Sequence, residues 1–267
     1  MKKSRIETVT IQSQCLGKEM KAQVYLPKSY NTSERFPVLY FLHGRNGNEN
    51  ILFEVELNKA ADKMIDQEKI KPIIIVCPRI ENSHGMNSST ITKEIPDPCD
   101  SNRKIHFGMY EDYIVKEVVS AIDSSFSTIA DRSGRYIGGV SGGGYAALHN
   151  AFRHQDIFSK VGGHMPAIEL ELEEEDKPYY SSQDIWEKYD SIHIANSQDI
   201  LDTDVYLDCG DNDEARFYRG CSILHEILKS KGISSQNHIY HGNHNLEYVK
   251  SNIEKYLDFY AKLPLRP

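Results

Sequence analysis

Four short stretches constrain the fold more than anything else in the chain. "FPVLYFLHG" (36–44), "KPIIIVCP" (71–78), "RYIGGVS" (135–141) and "TDVYLDCG" (203–210) are nearly unbroken apolar runs, each closed by a turn or breaker residue. A strand with one wet face alternates apolar and polar residues, whereas a strand buried on both faces of a parallel sheet does not. Between these runs lie stretches with helical periodicity: "FEVELNKAADKMIDQ", "YEDYIVKEVVSAIDSSF", "YAALHNAFRH" and "SILHEILKS". A strand-like "NHIYHG" then leads into a terminal helix, "LEYVKSNIEKYLDFYAKL". Upstream, "IETVTIQSQ" and "KAQVYLP" alternate as half-buried antiparallel strands do. The pattern predicts an α/β fold: a mostly parallel, doubly wound sheet with antiparallel N-terminal strands and helices on both faces.

No repeat or linker divides the 267 residues, and an α/β unit of this length is commonly one domain. Residues 1–267 are therefore expected to form a single domain. Two segments interrupt the strand–helix rhythm, a turn-rich one at about 80–107 and an acidic one at about 165–200. Both are expected over the carboxyl ends of the strands, where open α/β sheets bind ligands. The acidic run reads as a solvated face. The net charge of −8, with acids and bases interspersed, argues against a nucleic-acid partner. No run approaches the ~20 apolar residues that span a bilayer, and no signal-peptide pattern follows the basic N-terminus. A soluble, cytoplasmic protein with no membrane partner is expected. A homo-oligomer is compatible with the sequence, which specifies no interface. The five cysteines are widely spaced and form no C-x-x-C pair, which argues against a disulfide framework or a zinc site. Cys77 and Cys209 read as buried thiols.

The sequence crowds glycine around one serine in "GGVSGGGYAAL" (138–148). Residues 139–143, "GVSGG", match the G-x-S-x-G elbow, with a strand running in and a helix running out. Side chains two positions either side of such a turn collide, so Gly139 and Gly143 fit where larger residues do not. The hydroxyl of Ser141 then stands beside a helix N-terminus, where negative charge is favoured. The other explanation, a phosphate-cradling turn, lacks the lysine of a P-loop and the spacing of a dinucleotide fingerprint.

A serine hydroxyl becomes a useful nucleophile only beside a base. In this strand–turn–helix context an acid and then a histidine follow in chain order. After the strand "TDVYLDCG" come Asp211 and Asp213, and either could instead cap a helix beginning near Glu214. Asp208 alternates along the strand into the sheet. "IYHGNHNLEY" offers His241 and His244. His238 and His241 are expected on the strand, facing opposite sides, so the H-x-x-H-x-x-H spacing does not predict a shared metal ion. His244 lies in the turn, free to reach back. An oxyanion needs two donors: the N–H after the nucleophile, Gly142, and one from the loop after "YFLHG", for which the N–H of Arg45 is the candidate. His164 in "VGGHMPA" lies near the site and reads equally as a satisfied structural histidine. Trp186, Tyr179, Tyr180 and Tyr189 read as lid packing, and Asp131 and Arg132 as a helix–strand junction.

Taken together, "PVLYFLHGRNGNE", "DYIVKEVVSAIDSSFSTIADRSGRYIGGVSGGGYAALHNAFRHQDIFSKVGGHMPA", "DCGDNDE" and "GNHNLEYV" resemble the esterase D-like family, over about residues 20–260. That family includes S-formylglutathione hydrolases, carboxylesterases, feruloyl and siderophore esterases and mycolyltransferases. The resemblance implies an α/β-hydrolase fold and a serine carboxylesterase acting on small-molecule esters or thioesters without metal or organic cofactor. It places the nucleophile on Ser141, the acid on Asp213, the histidine on His244 and the oxyanion donors on the backbone of Arg45 and Gly142. The preference for Asp213 over Asp211 rests on the resemblance alone. Two positions depart from the family pattern: Gly142 stands where methionine is common, and Arg45 where an apolar residue is common. The second is expected to bring a positive charge near the acyl or leaving group.

Overall fold

The computed structural model describes residues 3–263. Among the described residues the strands are β1 (Arg5–Ser13), β2 (Lys18–Leu26), β3 (Val38–Leu42), β4 (Ile74–Pro78), β5 (Lys93–Asp97), β6 (Asp100–Phe107), β7 (Arg135–Val140), β8 (Lys160–His164), β9 (Asp204–Gly210) and β10 (Ser235–Tyr240). The α-helices are α1 (Ile51–Glu54), α2 (Leu57–Asp66), α3 (Tyr110–Asp112), α4 (Val119–Ser125), α5 (Gly142–Arg153), α6 (Gln183–Tyr189), α7 (Ser191–Ser197), α8 (Tyr218–Ser230) and α9 (Leu246–Ala261).

Eight strands form one sheet in the order β1-β2-β4-β3-β7-β8-β9-β10. From β4 to β10 every pair is parallel, and β1 and β2 join antiparallel at one edge. The continuous apolar runs are the reason: every residue of β3 and β4 is buried, as strands covered on both faces require. β1 alternates exposed and covered positions, as an edge strand does. Helices α5, α7 and α8 lie on one face, and α2 and α9 on the other. Cys209 meets Cys221 of α8 across a 3.6 Å gap between free thiols, while its neighbour Asp208 faces α9.

Two helices differ from their sequence-based outlines. The stretch predicted over 53–67 is broken between α1 and α2 by Glu56, whose φ is 55°. Within the stretch at 110–126, α3 and α4 are joined by a π-helical segment, Tyr113–Val118. The turn-rich segment at 80–107 carries the separate β5–β6 hairpin, and the acidic segment carries α6 and α7. Among the described residues no helix is long and apolar enough to cross a membrane.

Register brings the strand ends to a common rim. Leu42 pairs with Gly139, Val140 with His164, His164 with Asp208, and Gly210 with Tyr240. The loops that follow these residues are therefore neighbours, although far apart in sequence. Beneath the rim, the fully buried Asp208 accepts hydrogen bonds from Tyr248 (2.7 Å), Tyr256 (2.9 Å) and His164 Nδ1 (3.0 Å), donors that take the place of water. His164 is thus a structural residue on β8, wholly buried, and does not face a ligand.

Candidate active site

The turn at Ser141 is strained in a specific way. Its φ is 53° and ψ −122°, a backbone conformation costly for a residue with a side chain. Two glycines make the turn possible. A Cβ on Gly139 would lie 2.5 Å from the Gly143 carbonyl oxygen, and one on Gly143 only 2.3 Å from the His43 carbonyl oxygen. Gly138 answers to a different neighbour: a Cβ there would overlap the hydroxyl of Tyr260 from α9. The glycine cluster therefore serves two ends, the elbow and the packing of α9 on the sheet.

Ser141 Oγ lies 2.9 Å from His244 Nε2, and His244 Nδ1 lies 3.0 Å from Asp213 Oδ2. The loops bearing the acid and the histidine are laced together by backbone. Asp211 N–H donates to the Tyr240 carbonyl at 2.8 Å and Asn212 N–H to the Gly242 carbonyl at 3.0 Å. Gly242, with φ 149°, adopts a conformation that favours glycine. Immediately after His244, the Asn245 side chain caps α9 by accepting the Tyr248 N–H at 3.0 Å. Asp213 is 3% exposed, and its second oxygen accepts the Ala215 N–H at 3.0 Å. The Phe217 ring packs edge-on against the His244 imidazole with centroids 5.3 Å apart.

The alternatives left open by sequence resolve into other contacts. Asp211 is exposed and pairs with exposed His241 at 3.2 Å, while its other oxygen accepts the Gly242 N–H. His241 lies just beyond β10, which ends at Tyr240, and not on the strand as expected. His238 stacks on Tyr240, so the three histidines do not converge. The helix expected near Glu214 begins at Tyr218. Among the described residues, no group of three or more His, Cys, Asp or Glu side chains is placed to hold a metal ion.

The backbone nitrogen of Arg45 is the nearest atom to a Cβ built on Gly142, at 3.8 Å, so the two candidate oxyanion donors flank one space. Sequence reasoning missed what aims the first of them. His43 Nε2 accepts the Ile80 N–H at 3.0 Å, so Nδ1 bears the proton and donates to the Gly44 carbonyl at 2.8 Å. That carbonyl and the Arg45 N–H belong to one trans peptide and point in opposite directions. Fixing the carbonyl inward therefore turns the N–H outward. The "HG" of "YFLHG" was the available signal.

The Arg45 guanidinium is held by Glu175 at 2.9 Å and Asp176 at 2.5 Å, acids of the segment expected to be a solvated face. Its charge is thus neutralised at the lid rather than free beside a substrate. Trp186, Tyr179, Tyr180 and Tyr189 form a small buried cluster with Tyr145, as lid packing does. A groove of about 460 Å³ runs past Glu169, Ala215, Arg216 and Phe217, on the His244 side of the rim.

Burial drives His43, His84 and His149 down to about 4, so all three are neutral. Each binds fewer protons folded than unfolded between its depressed value and the ordinary 6.5. Stability is therefore full at neutral pH and falls as pH drops from 6.5 toward 4. Each histidine should contribute a loss on the order of 1–2 kcal/mol between pH 6.5 and 5. Glu169, raised by burial and Asp176, acts with the opposite sign and offsets only part of the three histidines' combined loss between pH 6.5 and 5. Urea midpoints should therefore fall from pH 6.5 to pH 5; a constant midpoint would contradict neutral burial.

The family model described as "Putative esterase" matches residues 13–259. An endo-1,4-beta-xylanase/feruloyl esterase from Xylanibacter ruminicola is 30% identical over 163 residues, covering 59% of this chain but only 21% of that protein. An S-formylglutathione hydrolase from Arabidopsis thaliana is 22% identical, over 94% of this chain and 90% of that one. A solved ferulic acid esterase superimposes with a TM-score of 0.81 at 23% identity, covering 97% of this chain and 98% of its own. The chain belongs to this family of esterases, and its fold is that of the α/β-hydrolases.

Proposed function

We propose that the protein is a serine carboxylesterase that cleaves small esters, or thioesters, through a covalent acyl-enzyme. The observation that carries this reading is the unbroken hydroxyl–imidazole–carboxylate chain at 2.9 and 3.0 Å on a strained elbow. In this mechanism His244 takes the Ser141 proton as Oγ attacks the ester carbonyl. Asp213 holds the Nδ1–H tautomer and stabilises the imidazolium. The N–H groups of Gly142 and Arg45 receive the oxyanion, the second kept outward by the hydrogen bond from His43 to the Gly44 carbonyl. His244 then protonates the departing alcohol or thiol, which leaves along the groove beside Phe217. Water, activated by the same imidazole, frees the acid. The residues in hand complete these steps without a metal or organic cofactor.

Transfer to an acceptor other than water, or a binding role without turnover, would use the same scaffold. A fluorophosphonate probe separates the last from the first. The wild-type protein should lose p-nitrophenyl acetate hydrolysis in step with labelling, and the tagged peptide should contain Ser141. An unlabelled protein with no turnover would refute the proposal. A panel of S-formylglutathione, feruloyl and short alkanoyl esters, with and without added alcohols, would then assign the leaving group and expose any transfer.

A further inference from the structure

Beside Gly142 lies a small cavity of about 10 Å³, lined in part by His84, Tyr145, Glu169, Asp176 and Tyr180. That is room for one water-sized group. Its wall carries several polar side chains. The His84 ring is buried, and among the described residues its Nε2 has no hydrogen-bond partner. Nδ1 lies 3.3 Å from the Tyr180 hydroxyl, which donates onward to Tyr145 at 2.9 Å. Nδ1 therefore carries the ring proton, and Nε2 presents a bare lone pair. It faces Asp176 Oδ1 across 3.8 Å, too far for a bond and wide enough to leave a position open.

His84 is held there at a cost. Its φ is 54°, its carbonyl receives His149 Nε2–H at 2.8 Å, and its ring stacks on Tyr179 at 3.9 Å. The cavity thus offers an acceptor, His84 Nε2, to one small group. A hydroxyl supplies the proton that Nε2 lacks; a methyl group does not and leaves Nε2 unsatisfied, which is costly in a buried site.

We propose that this cavity is an acyl subsite for a hydroxyl, and that the enzyme prefers esters of short hydroxy acids over isosteric alkanoyl esters. This rests on the esterase reading and adds its acyl specificity. The leaving alcohol, on the His244 side, is not constrained by it.

The test compares glycolyl with propionyl esters, and 3-hydroxypropionyl with butyryl esters, of one alcohol. Each kcat/KM is divided by the ester's own alkaline hydrolysis rate to remove inductive effects. The hydroxyacyl member of at least one pair should be favoured by about ten- to a hundredfold. His84→Phe, which removes the acceptor, should bring that ratio down to about one. Ratios near one in the wild type would overturn the subsite while leaving the esterase intact. A ratio unchanged in folded His84→Phe would overturn it too. Absence of turnover on every ester would overturn both readings together. The wild-type ratios decide the matter even if a variant fails to fold.

Discussion

Ser141→Ala should lower kcat for p-nitrophenyl acetate by about 10⁶, the loss expected when the proposed nucleophile of a cooperating triad is removed. What remains, the Gly142 and Arg45 donors with a bound ester, should still exceed the uncatalysed reaction by about 10³–10⁴. The fold should tolerate the change. Oγ is bound only to His244, whose side chain is 23% exposed, so water can replace the lost partner. Alanine inherits the φ of 53°, and with it the elbow's strain. Ser141→Gly removes hydroxyl and strain together. It should be as inactive as Ser141→Ala yet more stable, by about 1 kcal/mol after allowing for the freer unfolded chain. Chemical denaturation of the two variants measures the gap. A Ser141→Ala protein with activity within tenfold of wild type would show that another group attacks the ester.

The outline of this fold was legible because two periodicities do not overlap. Continuous runs such as "VLYFL" and "IIVCP", short and closed by a turn or breaker residue, read as strands buried on both faces, and they are. Helix α9 buries Tyr248, Val249, Asn252, Tyr256, Leu257 and Tyr260, the stripe its spacing implies. What stayed hidden was long-range. Nothing local marks Gly138 as the partner of Tyr260, because that contact joins residues more than a hundred positions apart. Nothing in "ELELEEEDKPYY" says that Glu175 and Asp176 reach Arg45 while Glu174 pairs only with its near neighbour Lys177. The role of His43 was hidden for a different reason. A histidine at a strand end reads the same whether its ring meets solvent or fixes a peptide plane, and only the Ile80 N–H distinguishes them. The order serine, acid, histidine was visible, but the choice between Asp211 and Asp213 was not. Both follow the same strand, two residues apart, and each has its own histidine.

That pair supports the second large effect. Asp213→Asn should reduce kcat by about 10⁴ with little change in stability, because the amide keeps the shape and loses the charge. The physical cause is the tautomer. Buried at 3% exposure, the carboxylate can only accept, so Nδ1 must carry the proton and Nε2 stays bare toward Ser141 Oγ. An asparagine can turn its NH₂ to Nδ1 instead, which moves the ring proton to Nε2, where it blocks proton abstraction. Asp211→Asn provides the matched control. Its oxygens serve the exposed His241 and the Gly242 N–H, and solvent can replace the first while an amide oxygen retains the second. Activity within about threefold of wild type is expected, since exposed pairs of this kind contribute ~1 kcal/mol or less. The two variants should therefore differ by more than a thousandfold in kcat on one ester at one pH. Equal losses in both would mean that the acid loop acts only by holding the His244 turn in place, and a larger loss in Asp211→Asn would transfer the carboxylate's role to the residue that solvent already reaches.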